Sequence, residues 1–426
     1  MYKRQVIYYA ENTVGSLNFG WTSVPTATSI LQIGRGYQVA VRGNRSTSGL
    51  STFATVATSA TIMALTGTIN QGTYALPVTY TSTPIATVDG FNLIGNPYPS
   101  QIDWNSGTGW VKTSIDNAIY IFDPFTINTN ATTSPGSTFS YVSGVSSDGR
   151  INGNVIASSQ GFFVKANAAN PSLTINENAK VNSSHNSNFR LESESPEYFN
   201  IGILSKNGSS DYTAVRFNEN ATNDFDSDLD AFKIKNSAIN ISTQLDGKEE
   251  LSINSLRFPT SEVEIPIVLD VKTGTGFHLH FTSLENIVTN ISLYLKDSIS
   301  NSLTEITPDL MFGFDQVTLT RNRFSIIAKN DATTSTDKSY RQLSKLTLYP
   351  NPVIGQKINL KLDSKEENLG YTISDLLGKT YASNVVDFVK GVSSNQVDVS
   401  YLPNGLYLFN YQINGITKTK TFIVNR

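Results

Sequence analysis

Short runs of β-branched and aromatic residues, separated by turn-forming residues, follow one another from residue 6 to the end of the chain. Val6–Ala10, Phe91–Ile94 and Phe277–Phe281 are examples, and clusters of Gly, Asn, Ser and Pro lie between such runs. Alternation with a period of two residues is typical of strands, whereas the clusters favour turns. Because no helical period of useful length occurs, the sequence predicts an all-β protein built from tandem antiparallel β-sandwich domains.

The composition narrows the classes of function. The chain of 426 residues carries a formal net charge of -3, and only 16% of its residues are charged. We therefore predict no basic surface that would attract nucleic acid. The sequence contains no cysteine, which excludes disulfides, thiolate metal sites and cysteine nucleophiles. It also contains no apolar run long enough to form a transmembrane helix.

Residues 344–426 contain an ordered set of motifs. Tyr349-Pro350-Asn351-Pro352 follows an alternating apolar run, and its prolines must end that strand because they lack backbone N–H groups. Asn414-Gly415 separates two β-rich runs and favours a two-residue hairpin turn. The pattern predicts a small antiparallel sandwich of seven short strands. These strands are 346–349, 357–362, 370–376, 380–386, 396–400, 405–413 and 416–424.

In their order and their position at the C-terminus, these motifs resemble the type A C-terminal sorting domain of proteins exported by the type IX secretion system of Bacteroidetes. The resemblance implies an immunoglobulin-like fold whose terminal hairpin engages the outer-membrane translocon. It also implies that a sortase-like peptidase cuts in the linker 331–343, after which the protein is anchored at the cell surface or released. We expect the sorting signal to include Tyr349, Pro350, Asn351, Pro352, Gly378, Pro403, Gly405, Tyr407, Gly415, Lys418, Lys420 and Phe422.

Two further β-rich regions precede the sorting domain. Residues 6–182 are predicted to form one β-sandwich and residues 197–330 a second, for which a jelly roll is one topology. The polar segment 183–196 is the predicted linker between them. Both regions resemble modules that lie beside sorting domains in Bacteroidetes surface proteins, and those modules imply no defined activity. Residues 1–5 resemble a translated sequencing adapter, so we expect a non-native start to a C-terminal fragment of a larger surface protein.

One acidic loop is a candidate metal site. Asp224, Asp226, Asp228 and Asp230 place four carboxylates at alternate positions. Calcium prefers several oxygen ligands, and closely spaced aspartates supply them. The loop lacks the glycine and the distal glutamate of an EF-hand. The alternative is a solvated loop in which aspartate serves as a turn former, with no cofactor bound.

Aromatic residues supply a second candidate site. Trp104 and Trp110 are predicted to form a platform that stacks on sugar rings, although large sandwich cores use the same residue types. Asp103, Asp116 and Asp123 are candidates for a glycosidase pair of carboxylates. His278 and His280 share one face of a strand, for which we favour a surface-facing pair over a zinc site.

The leading hypothesis is a non-enzymatic secreted or cell-surface protein whose upstream modules act as a stalk or adhesin. The sequence contains no Gly-x-Ser-x-Gly, His-Glu-x-x-His or P-loop motif. Two alternatives stay open at this point. One is a carbohydrate-binding module that takes a glycan or another surface ligand. The other is the ancillary region of a secreted hydrolase whose catalytic domain lies upstream.

Overall fold

A computed structural model describes most of the chain. The described residues are 6–12, 17, 20–26, 28–39, 67–83, 88–123, 137–150, 152–181, 196–206, 209–245, 249–271, 276–287, 291–308, 310–315, 320–330, 345–349, 353–363, 368–375, 379–387, 393–413, 416–424 and 426. The chain divides into two compact units, one reaching residue 330 and the other comprising residues 331–426. Residues 288–290, which are assigned to the second unit, lie outside the described residues.

Nearly all regular structure in the described residues is β, which confirms the predicted fold class. The helices consist of two short 3₁₀ turns, Glu177–Ala179 and Leu284–Asn286. No helix in the described part is long and apolar enough to cross a membrane. The strand ladders are antiparallel, apart from one parallel pair in the upstream unit, as the alternating sequence pattern predicts.

The first β region contains thirteen short strands in its described part. A five-stranded sheet, β10-β9-β8-β12-β5, forms its centre, and smaller sheets cover it. Between them lies a core that includes Ile94, Ile119 and Phe162. The strands are β1 Val6–Tyr9, β2 Trp21–Ser23, β3 Tyr37–Val39, β4 Tyr74–Leu76, β5 Phe91–Gly95, β6 Ile102–Asp103, β7 Trp110–Thr113, β8 Ile115–Asp123, β9 Ser137–Val142, β10 Val145–Ser146, β11 Val155–Ile156, β12 Gly161–Ala166 and β13 Ser172–Ile175.

The second β region forms one large sheet that wraps around its own core. Inward residues alternate along the strands, as in Phe277, Leu279 and Phe281, which are all buried. The strand order is β22-β21-β24-β19-β17-β18-β15-β14-β20-β23, with β16 paired to β18. The strands are β14 Glu197–Ser205, β15 Ser210–Phe217, β16 Ala231–Phe232, β17 Ile239–Leu245, β18 Glu249–Leu256, β19 Val263–Val271, β20 Phe277–Thr282, β21 Ile291–Asp297, β22 Ser302–Glu305, β23 Met311–Phe314 and β24 Thr320–Asn330.

The two β regions pack against each other within the first unit. Tyr120 and Val142 from the first region share a buried cluster with Ala214 and Ile253 from the second. The buried Arg216 donates from Nη2 to the carbonyl oxygen of Val142 over 2.8 Å. Most of the predicted linker 183–196 lies outside the described residues, so its position stays a prediction. The structure adds that the regions on either side of it share a core.

The second unit contains seven strands in two sheets, which is the arrangement that the sequence predicts. One sheet has the order β25-β26-β29 and the other has the order β28-β27-β30-β31. Their facing sides enclose a core that includes Leu346, Ile358, Ile373 and Phe409. The strands are β25 Lys345–Tyr349, β26 Lys357–Asp363, β27 Asn368–Asp375, β28 Thr380–Asp387, β29 Ser393–Asp398, β30 Gly405–Ile413 and β31 Ile416–Val424.

Candidate functional site

The last two strands form a long antiparallel hairpin at the edge of the four-stranded sheet. Nine residue pairs join them, from Gly405↔Val424 at the base to Ile413↔Ile416 at the tip. Two residues separate Ile413 from Ile416, which is the spacing of a two-residue turn. Asn414 and Gly415 themselves lie outside the described residues.

One face of this hairpin is anchored in the core. Tyr407, Phe409 and Tyr411 on β30 are buried, as are Phe422 and Val424 on β31. The ring of Phe409 stacks on that of Tyr371 with centroids 4.8 Å apart. The alternation of aromatic and polar residues therefore fixes the register, because a shift by one residue would expose every ring.

Lysines occupy the outer half of β31. Lys420 pairs in register with Phe409, and Lys418 with Tyr411. Lys420 is half-buried and lies on the same face as the buried Phe422, two residues further on. An inward lysine such as Lys420 on an edge strand discourages the strand from pairing with other sheets, because pairing would bury its charge. The half-buried Lys420 therefore protects this edge against unspecific strand pairing.

Three of the remaining predicted signal residues, Tyr349, Pro403 and Gly405, lie in the described part of this unit. Tyr349 ends β25 and is 42% exposed. Pro403 accepts a hydrogen bond at its carbonyl oxygen from the Tyr407 hydroxyl over 2.9 Å. Gly405 begins β30. Pro350, Asn351, Pro352 and Gly378 lie outside the described residues, so their roles stay predictions.

Arg426 fastens the end of β31 to this base, a role that the sequence did not predict. Its guanidinium donates to the carbonyl oxygens of Val399 over 2.6 Å and of Leu402 over 3.0 Å. It also reaches the carbonyl oxygens of Ser400 and Gly355. The Asn404 side chain accepts from the backbone N–H of Arg426 and donates to its carbonyl oxygen. We call Arg426 and Asn404 together the terminal clasp.

Replacing Arg426 with alanine should lower the free energy of unfolding of this unit by about 1–3 kcal/mol. The reason is that several hydrogen bonds are lost, each of which contributes about 1 kcal/mol net. Arg426→Lys is the matched control for charge, and it should lose most of the same stability because an ammonium cannot reproduce the planar fork of donors. Urea unfolding of the full chain measures this. Equal stability of wild type and Arg426→Ala would contradict the clasp.

The four aspartates of the acidic loop do not converge on one point. Asp226 accepts hydrogen bonds from the backbone N–H and hydroxyl of Thr222. The buried Asp230 accepts from the backbone N–H groups of Asp226 and Ser255, and burial raises its pKa to about 7. Asp224 and Asp228 are exposed. Within the described residues, no group of three or more acidic, histidine or cysteine side chains is placed to hold a metal ion.

The structure brings Trp104 and Trp110 together, with ring centroids 4.7 Å apart. They line an open cavity of about 470 Å³ with Asn105, Lys112 and Asn117. Both rings are nevertheless buried, with exposures of 1% and 8%. The Trp104 indole N–H donates to the carbonyl oxygen of Asn117 over 2.8 Å. The Lys112 ammonium lies 3.6 Å above the Trp104 ring, and burial lowers the pKa of Lys112 to about 8.

The other candidate residues have separate local partners. Asp103 accepts from the Asn105 backbone N–H and the Asn154 amide, whereas Asp123 pairs with Arg150 over 3.0 Å. Asp116 is buried, which raises its pKa, and it accepts from the Asn167 amide. On β20, the half-buried His280 packs edge-on against Tyr212, and burial lowers its pKa. His278 lies two residues away on the same strand.

The sandwich of the C-terminal unit agrees with the class that the sequence motifs predict, that of proteins delivered by the type IX secretion system. A family model described as a secretion system C-terminal sorting domain matches residues 347–425, so the resemblance found in the sequence is confirmed. The protein is therefore exported to the cell surface or the extracellular space. Residues 2–327 match a second model, described as a domain of unknown function (DUF8693). Because this match covers more than half of the chain, the chain belongs to that family. No curated protein matches the chain.

Proposed function

We propose that the upstream β unit works outside the cell as a non-enzymatic stalk or adhesive module, delivered by the C-terminal domain. We further propose that the outer half of the β30–β31 hairpin is the surface that the translocon binds. The observation that carries this proposal is the position of Lys420, which is half-buried on the edge strand β31. The buried Phe422 and Val424, together with the terminal clasp, hold the end of that strand in place. A rigid edge with a defined charge pattern suits selective binding.

The proposed export of the protein has two stages, translocon binding and cleavage. The C-terminal domain first engages the translocon, and a sortase-like peptidase then cuts in the segment 331–343. What stays outside the cell is the unit that ends at residue 330. The proposal that this unit is a structural module is supported by the continuous core that joins its two β regions. That core includes Tyr120, Val142 and Ile253. A unit with a shared core transmits force or presents a surface without depending on a flexible joint.

Replacing Lys418 and Lys420 together with alanine should reduce export severalfold while leaving the domain folded, because the aromatic core of the hairpin stays intact. The matched control is the double variant Lys357→Ala with Lys379→Ala, which removes the same charge from two exposed residues elsewhere in the domain, the first residue of β26 and the residue before β28. Export is measured as the extracellular fraction of the full chain in a type IX-competent host. Equal export of both double variants would contradict the proposed surface.

A further inference from the structure

A buried group of three side chains in the upstream unit has the arrangement of a reactive site. Lys233 and Asn236 lie in the segment between β16 and β17, and Asp211 lies on the neighbouring strand β15. The side chains of Lys233 and Asp211 are 1% and 2% exposed. Asn236 is 9% exposed. Neither the sorting function nor the proposed module uses these residues.

One carboxylate contacts both partners. Asp211 Oδ2 accepts from the Lys233 ammonium over 2.5 Å, and its Oδ1 accepts from the Asn236 side-chain Nδ2 over 2.9 Å. The backbone N–H of Ile241 also donates to Oδ2 over 2.7 Å, which holds the carboxylate in place. Asp211 therefore touches an amine and the nitrogen of a carboxamide at the same time.

The side-chain carbonyl oxygen of Asn236 has a hydrogen-bond donor that could stabilise negative charge on it. Its Oδ1 accepts a hydrogen bond from the backbone N–H of Thr138 over 2.8 Å. This distance is typical of a donor that stabilises negative charge on a carbonyl oxygen. The backbone of Asn236 is fixed by two hydrogen bonds with the Asn240 side chain. The carboxylate on one side and the N–H donor on the other also define which end of the amide is nitrogen.

From this geometry we propose that Lys233 and Asn236 form an intramolecular isopeptide bond, with Asp211 as the catalytic proton carrier. Asp211 takes a proton from the Lys233 ammonium, and the neutral Nζ attacks Cγ of Asn236. The Thr138 N–H stabilises the oxyanion that forms on Oδ1. Asp211 then passes its proton to Nδ2. The Cγ–Nδ2 bond breaks and ammonia leaves. The second proton on Nζ then moves to Asp211, which ends neutral, and an Nζ–Cγ amide remains.

The environment favours this reaction. Burial raises the pKa of the Asp211 carboxyl, which helps it to take up the lysine proton. The fold holds the Lys233 ammonium and the Asn236 amide against the same carboxylate, so little entropy is lost in bringing them together. The product is a neutral amide in place of a buried ion pair, and burying a neutral amide costs less than burying charges. Since the chain contains no cysteine, this bond is a form of covalent bracing that remains open to it.

The mass of the folded full-length chain tests this proposal without any variant. We expect a mass below that calculated from the sequence by one ammonia molecule. Trypsin should fail to cut after Lys233, because an acylated lysine is not a substrate, and fragmentation should place the link between residues 233 and 236. Lys233→Arg, which keeps the charge, should restore the full mass, and so should Asp211→Ala if it folds.

Three results would overturn the assignment. The first is the full sequence mass in wild-type protein, both fresh and after prolonged incubation in the folded state. The second is the loss of one water molecule, which would place the bond on Asp211. The third is the loss of ammonia with normal cleavage after Lys233, which would place the change elsewhere in the chain. Because wild-type protein gives each of these readings, a variant that fails to fold does not affect the test.

Discussion

Trp104→Ala should lower the free energy of unfolding of the upstream unit by about 3–5 kcal/mol, the usual cost of removing a buried tryptophan. The ring is 1% exposed and packs against Trp110 and Phe162. Its removal leaves a cavity, and it also leaves the Asn117 carbonyl oxygen without the indole donor. Urea unfolding of the full chain measures the change.

The matched control is Val111→Ala, on the strand that begins with Trp110. Val111 is 57% exposed, so this substitution should change stability by less than about 0.5 kcal/mol. A loss below about 1 kcal/mol for Trp104→Ala would contradict a core role for this ring.

The result also bears on sugar binding. Lost binding in a destabilised variant says little about contact, so a glycan array should compare wild type with Asn105→Ala, which changes the lining of the cavity at an exposed residue.

The sequence predicted five of the seven strands of the C-terminal unit to within one residue, whereas β27 and β29 differ from the predicted 370–376 and 396–400 by up to three residues. Strands 405–413 and 416–424 have the same bounds in prediction and structure, and β25, β26 and β28 differ by one residue at one end. The reason is local. Pro350 and Pro352 follow β25, and Asn414-Gly415 separates β30 from β31, so residues next in sequence carry much of the signal for these strands.

The terminal clasp could not be predicted in this way. Arg426 contacts the carbonyl oxygens of residues 355, 399, 400 and 402, which are distant in sequence and have no side-chain signature. The only sequence feature that could have drawn attention to it is Asn404 in the Pro403-Asn404-Gly405 motif. That asparagine holds the backbone of Arg426 through two hydrogen bonds.

The candidate sites of the upstream unit show a different limit of sequence-based prediction, which concerns the exposure and the hydrogen-bond partners of side chains. Composition identified Trp104 and Trp110 as partners, and the structure brings them together. The composition could not show whether the faces of the two rings are exposed to solvent, because a buried core and a sugar-binding platform use the same residue types. The acidic loop is similar, since alternate spacing does not show that Asp226 and Asp230 accept hydrogen bonds from the loop itself. Calcium binding and sugar binding at these residues stay predictions of the sequence.

Secretion of a passenger protein should require an intact terminal hairpin. Residues 331–426 contain a compact unit with its own core, in which β31 supplies Phe422 and Val424. Removing Ile416–Arg426 takes away that strand, the stacking of Phe422 on Tyr407 and the terminal clasp. A passenger with this shortened domain should therefore fail to leave the periplasm.

The measurement that tests the central claim most directly is the location of a fluorescent protein fused to residues 331–426. The fusion carries a Sec signal and is expressed in a type IX-competent host, beside the same fusion without residues 416–426. We predict fluorescence at the cell surface or in the medium for the first fusion and in the periplasm for the second. Periplasmic retention of the first fusion would contradict the account.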